Sequence, residues 1–169
     1  VGIGLGSILC DKLASKQSAS YLVPLGAAGM TLFGLDLAFA ISHLSDLAVT
    51  RGTEVNLTQF ITNFHGIRLF FDLFAFGVAS GFYIVPLYVI MQERSDVEHR
   101  SRIIAANNIM NAAFMVVSAL LILFMFSTGA QSAHIMLTVA LLNIPVCALV
   151  FWKLPELVVA CLQVLKLKN

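Results

Sequence analysis

The stretch Gly81–Asn111, GFYIVPLYVIMQERSDVEHRSRIIAANNIMN, decides how this chain folds. An apolar run containing Pro86 stops at Gln92, a loop bearing Arg94, Arg100 and Arg102 follows, and a second apolar run begins at Ile103 with Asn107, Asn108 and Asn111 in its first turns. Two apolar segments hinged on a short basic loop read as two membrane helices, and the rest of the chain repeats the pattern on either side.

Composition agrees. Of 169 residues, 59% are hydrophobic and 11% charged, with a mean hydropathy of +0.92. Soluble domains carry about 25% charged residues, so a water-soluble fold could not hide this much apolar surface. A net charge of +1 with basic residues scattered among loops excludes an electrostatic nucleic-acid binder. The fold class is therefore an all-α membrane protein.

Outward from the opening stretch, Ile67 to Gln92 is predicted to span the membrane as one helix and Ile103 to Thr128 as another. The run Tyr21 to His43 is a further span, and His134 to Trp152, closed by the interfacial pair Trp152-Lys153 and by Pro155, is the last. Each approaches or exceeds the roughly 20 residues that a bilayer requires. Val1 to Leu9 is apolar but too short to cross, and is expected to be the end of a helix whose beginning lies upstream. Residues 1–153 then form one membrane domain, and 154–169 an amphipathic tail or a linker to a following domain. Between spans, Leu57, Phe60, Ile61 and Phe64 recur at helical spacing, which predicts a short surface helix. Lys12, Lys16, Arg94, Arg100, Arg102, Lys153, Lys166 and Lys168 fall on one side and only Arg51 and Arg68 near the other, so the first side is expected to be cytoplasmic.

Charges and amides inside these spans are the candidates for function. Asp36 is costly in lipid and should face the bundle or a wet cavity, as a structural or a functional group. At about 100° per residue, Arg68, Asp72, Ala79 and Pro86 share one face of their helix, while Gly77 and Gly81 share the opposite one. The Gly77/Gly81 pair should admit a neighbouring backbone, leaving the other face to meet a cavity. Arg68 and Asp72 read either as an i,i+4 ion pair near the helix end or as a substrate contact. Asn107, Asn111 and Ser118 lie within a narrow arc from which Asn108 is turned away; such amides ordinarily tie helices together. Cys10, Cys147 and Cys161 have no His or acidic companions at metal-ligand spacing and read as buried thiols. No metal or cofactor is expected.

GFYIVPLYVIMQERS followed by HRSRIIAANNIMNAAFMVVSALL resembles the lysophospholipid transporter family of the major facilitator superfamily, including members fused to a phospholipid acyltransferase. The resemblance covers nearly the whole chain. It implies a partial major facilitator fold: the end of helix eight, helices nine to twelve, and a C-terminal amphipathic helix. The loop at Asp11 resembles the superfamily's helix-connecting motif: Asp11, Lys12 and Lys16 fit, whereas Ser7 stands at the glycine position and Gly6 is one residue early. By position in that fold, Arg68 and Asp72 inherit a cavity role, Asp36 becomes peripheral, and Asn107 and Asn111 border the seam between the two halves of the carrier.

The function this implies is alternating-access transport of a lysophospholipid from the outer to the inner leaflet of a bacterial inner membrane. Its partners would be membrane lipid, the N-terminal half of the carrier, and an acyltransferase fused to it or associated with it. A carrier for another solute, a purely structural membrane piece, and the membrane part of a transporter-acyltransferase fusion are the alternatives. The fused enzymes use a His followed five residues later by Asp, a pattern absent at His43, His65, His99 and His134, so no enzymatic activity is expected of this stretch.

Overall fold

The computed structural model describes residues 1–14, 19–51 and 64–166. They form six α-helices: α1 Gly2–Ala14, α2 Leu22–Arg51, α3 Phe64–Glu93, α4 Arg100–Ser127, α5 Ser132–Lys153 and α6 Pro155–Lys166, with a 3₁₀ turn at Ala19–Tyr21. Four stretches, Leu22–His43, Phe64–Glu93, Arg100–Ser127 and Ser132–Lys153, are long and apolar enough to cross a membrane. At 1.5 Å per residue, the 30 residues of α3 extend about 45 Å, more than a hydrocarbon core of about 30 Å requires. The architecture is that of an all-helical, multi-pass membrane protein.

Helix ends fall beyond the apolar runs. α1 continues through Asp11 and Lys12, α3 starts at Phe64 rather than Ile67, and α4 starts at Arg100 rather than Ile103. The physical reason is that backbone hydrogen bonding does not stop where lipid stops; polar residues continue a helix into the headgroup layer. Pro24 lies in the first turn of α2, where its missing N–H breaks no helical bond. Pro86 and Pro145 are carried inside α3 and α5. The α4–α5 connection turns at Gly129, whose φ of +84° suits glycine. Of the surface helix expected over Leu57, Phe60, Ile61 and Phe64, the first three lie outside the described residues, as do Lys16 and Lys168, and Phe64 is instead the first residue of α3.

α3 is the centre of the packing, with α1 against one face and α2 against another. On the first face Gly77 meets Gly2 and Gly81 meets Gly6: a Cβ on Gly81 would stand 2.9 Å from the Gly6 Cα, and one on Gly77 3.2 Å from the Gly2 Cα. Equal steps of four residues in both chains make α1 and α3 parallel. Two GxxxG pairs thus pack backbone to backbone, the close approach that small residues permit in lipid. On the second face, a Cβ on Gly26 of α2 would fall 2.7 Å from the Ala79 carbonyl oxygen, and Phe33 meets Phe71 edge to face with centroids 6.5 Å apart. These contacts run in opposite senses along the sequence, so α2 and α3 are antiparallel. The face carrying Asp72, Ala79 and Pro86, expected to meet a cavity, is instead buried on this side. A helix with two small-residue faces is packed on both.

α5 runs antiparallel to α2 on its far side. The Asn143 amide nitrogen of α5 donates to the Ala27 carbonyl at 3.2 Å and to Thr31 Oγ1 at 2.9 Å, and a Cβ on Gly34 would touch the Ala140 Cβ at 3.1 Å. α6 turns back beneath the bundle after Pro155 and buries Leu157 completely. It is tied to the end of α3 by an ion pair between Arg94 and Glu156. With α1 and α3 parallel, and α2 and α5 antiparallel to their neighbours, Lys12, Arg94, Arg100, Arg102 and Lys153 all come to one end of the bundle.

Candidate functional site

α4 differs from the other spanning helices: not one of its residues from Arg100 to Ser127 is buried. Between it and α3 lies a groove of about 890 Å³. On α3 the groove is lined by Ile84, Leu87, Tyr88 and Met91, and on α4 by Asn107, Asn111, Phe114 and Ser118 among others, with no charged side chain in the lining. Gly77, Gly81, Ile84 and Tyr88, spaced by four, three and four residues, follow one stripe of α3. The upper part of that stripe is closed by the glycines of α1, and the lower part, where side chains are large, opens into the groove.

One polar cluster interrupts the apolar lining. The Asn107 side-chain amide donates to the Tyr88 hydroxyl oxygen at 2.9 Å and the Asn111 amide donates to the same oxygen at 3.1 Å. Asn107 and Asn111 are one helical turn apart, so both reach a single acceptor on the facing helix. Tyr88 keeps its own O–H proton for a further acceptor, and the two amide carbonyl oxygens stand beside it. Ser118 also lines the groove but donates to its own helix, to the Met115 carbonyl at 2.9 Å. Of the residues predicted from sequence, Asn107, Asn111 and Ser118 are brought together on the groove side of α4, and Asn108 is outside the lining. Tyr88, the residue on which the cluster converges, carries no signal in a lone reading of its apolar run. Its place four residues past Ile84, on the continuation of the glycine stripe, is the pattern that marks it.

Arg68 and Asp72 are not in this groove. They sit near the start of α3, where Arg68 donates through Nη2 to Asp36 Oδ1 of α2. Asp72 Oδ2 is 3.9 Å from Arg68 Nε, close enough for attraction but without a hydrogen bond, and that oxygen is buried with no hydrogen-bond partner. Asp72 is only 3% exposed, whereas the Arg68 and Asp36 side chains are 37% and 41% exposed. The i,i+4 pair read from sequence is therefore the weaker half of a three-residue cluster. Asp36, peripheral on the family resemblance, is the direct partner of Arg68. The signal was a charge in each of two neighbouring spans, but a contact across 32 positions requires the helix order to be known.

At the opposite end of the bundle, Asp11 and Lys12 occupy the last turn of α1. Cys10 and Cys147 are buried free thiols, and Cys161 is a half-buried one. Cys147 donates weakly to Asn143 Oδ1 at 3.4 Å. Among the described residues no group of three or more His, Cys, Asp or Glu side chains is placed to hold a metal ion.

No family model, curated protein or solved structure matches this chain.

Proposed function

We propose that this chain is part of an alternating-access carrier of the lysophospholipid transporter type, which moves a single-chain phospholipid from the outer to the inner leaflet of a bacterial inner membrane. The observation that carries the reading is the Tyr88–Asn107–Asn111 cluster set in an otherwise apolar, uncharged groove between two membrane-spanning helices. An amphiphile entering from the bilayer requires an apolar wall for its acyl chain and a few fixed hydrogen-bonding groups for its polar part. The groove offers one free O–H donor and two amide oxygens, a set suited to the ester and hydroxyl groups of a lysolipid glycerol, while its lack of charge leaves the phosphate to other parts of the carrier. An N-terminal half of the carrier would face α4, and an acyltransferase, fused or associated, would consume the lipid delivered to the inner leaflet.

A membrane enzyme is the competing class. It is disfavoured by the absence of the His-then-Asp pattern at the four histidines and by the placement of the polar cluster, which has amides and a phenol but no general base.

Uptake of a fluorescent lysophosphatidylethanolamine into liposomes containing the full-length carrier tests this reading. Tyr88→Phe, and Asn107→Ala with Asn111→Ala, are each expected to slow uptake roughly 2- to 10-fold, the range set by losing a hydrogen bond of about 0.5–1.5 kcal/mol. Asn143→Ala, which loses contacts between α2 and α5 away from the groove, is the control for general damage. Undiminished uptake in the Tyr88 and Asn variants would remove the groove from transport.

A further inference from the structure

We propose that Asp36, Arg68 and Asp72 form a proton-binding site between α2 and α3, with Asp72 carrying the proton. The inference goes beyond the transport reading and holds whichever solute the groove carries.

The cluster contains two carboxylates and one guanidinium, so with every group ionised it holds one uncompensated negative charge. That charge falls on Asp72. Arg68 is committed to Asp36 by hydrogen bond, and toward Asp72 it presents only Nε at 3.9 Å. The Asp72 Oδ2 atom is sealed from solvent and accepts no hydrogen bond. A buried carboxylate with one oxygen unsatisfied, close enough to the Asp36 carboxyl for the two to share a hydrogen bond, is costly to hold ionised, and neutralisation by a proton is the ordinary way out.

A second counter-charge would serve only if something supplied it. Among the described side chains, none does. Other than Arg68 and Asp36, the titratable groups among those side chains toward this end of the two helices are His65 and His43, whose rings lie against Phe64 and Phe39. α1, which packs on the opposite face of α3, carries Asp11 and Lys12 in its last turn at the far end of the bundle, and α5 reaches this end with His134, whose ring accepts the Gln131 backbone N–H. A sodium ion in place of the proton would require several oxygen ligands around it. The recorded polar neighbours of Asp72 are one further carboxylate, Asp36, and a guanidinium that repels cations, so the geometry favours a proton.

Asp72 is buried while its two charged neighbours, Asp36 and Arg68, are half-exposed, so a proton reaches it most directly past that pair. When the proton leaves Asp72 for water, the new carboxylate competes with Asp36 for Arg68. The two states thus differ in how firmly α2 is held to α3 at this end: clamped through Asp36–Arg68 when Asp72 is protonated, and loosened when Arg68 turns to Asp72.

Infrared spectra of the full-length protein in a maltoside micelle, which has no ester carbonyls, test the proposal. Wild type is expected to show a deuterium-sensitive carboxylic acid band at neutral pH that disappears on raising the pH. Asp72→Asn should abolish the band. Asp72→Glu should retain it at a shifted frequency, and Asp36→Glu, which preserves the charge facing Arg68, should not abolish it. Adding sodium should not alter it. Circular dichroism identifies variants that retain native helix content, and the two Glu variants decide the assignment if the Asn variant does not fold. The proposal is overturned if wild type has no such band at neutral pH, if the band survives Asp72→Asn or is lost in Asp36→Glu, or if sodium displaces it. None of these readouts involves lipid uptake, so this site and the groove stand or fall separately.

Discussion

Gly81 of α3 lies so close to Gly6 of α1 that a Cβ on Gly81 would also stand 3.0 Å from the Ile3 carbonyl oxygen. Both neighbours are backbone atoms in regular helix, which cannot yield as a side-chain tip can. Gly81→Leu is therefore expected to cost about 1–3 kcal/mol or more through overpacking, and to lower the yield of folded protein extracted in mild detergent. Gly4, beside which an added Cβ meets nothing within 4 Å, is the internal control: Gly4→Leu should leave the yield unchanged. Equal yields for the two variants, measured by fluorescence-detected gel filtration, would mean that α1 does not dock on α3.

The α1 docking also shows what was legible in the sequence and what was not. The spacing of Gly77 and Gly81 announces a face that admits another backbone, and that face receives one. Its partner was equally present as Gly2 and Gly6, but a run too short to span a bilayer offers no reason to pair it with a helix some 70 residues on. The four spanning segments were legible because apolar runs end at charged loops. Their ends were not, because Phe64–Gly66 and Arg100–Arg102 continue the helices past the change in polarity. Asn107 and Asn111 were visible as a polar stripe in an apolar helix. Tyr88 was not, because one hydroxyl in an apolar run acquires meaning only when the facing helix is known. The same dependence on helix order concealed the pairing of Asp36 with Arg68.

The two ends of the bundle differ in charge, and this gives a topological test. Asp96 lies in the exposed loop between α3 and α4, while Gln131 is exposed in the connection between α4 and α5 at the opposite end. With Lys12, Arg94, Arg100, Arg102 and Lys153 gathered at the Asp96 end, that end is expected to be cytoplasmic. In a background lacking the native cysteines, a cysteine at Asp96 should react with a membrane-impermeant maleimide only after the membrane is opened, and one at Gln131 without opening. Ser95 is a poorer reporter than its neighbour because it is buried and its hydroxyl donates to the Met91 carbonyl. Reversed labelling would invert the orientation and with it the direction proposed for transport.

The last prediction separates the members of the charge cluster by what each leaves behind. Removing Asp36 frees Arg68, which still has Asp72 Oδ2 at 3.9 Å and can turn to it. Removing Arg68 takes away the one guanidinium that serves both carboxylates, leaving Asp36 without its hydrogen-bonded partner inside a membrane helix. Asp36→Asn is therefore expected to lower the thermal unfolding temperature in detergent less than Arg68→Gln does. The double variant Asp36→Asn with Arg68→Gln should unfold at a higher temperature than Arg68→Gln alone, because the second change removes the stranded charge that the first created. Such recovery is the signature of energetic coupling between neighbours, whereas independent sites would show the two losses adding. If the losses add, the Asp36–Arg68 contact contributes nothing to holding α2 against α3, and the clamp assigned to it in the proton site has no mechanical basis.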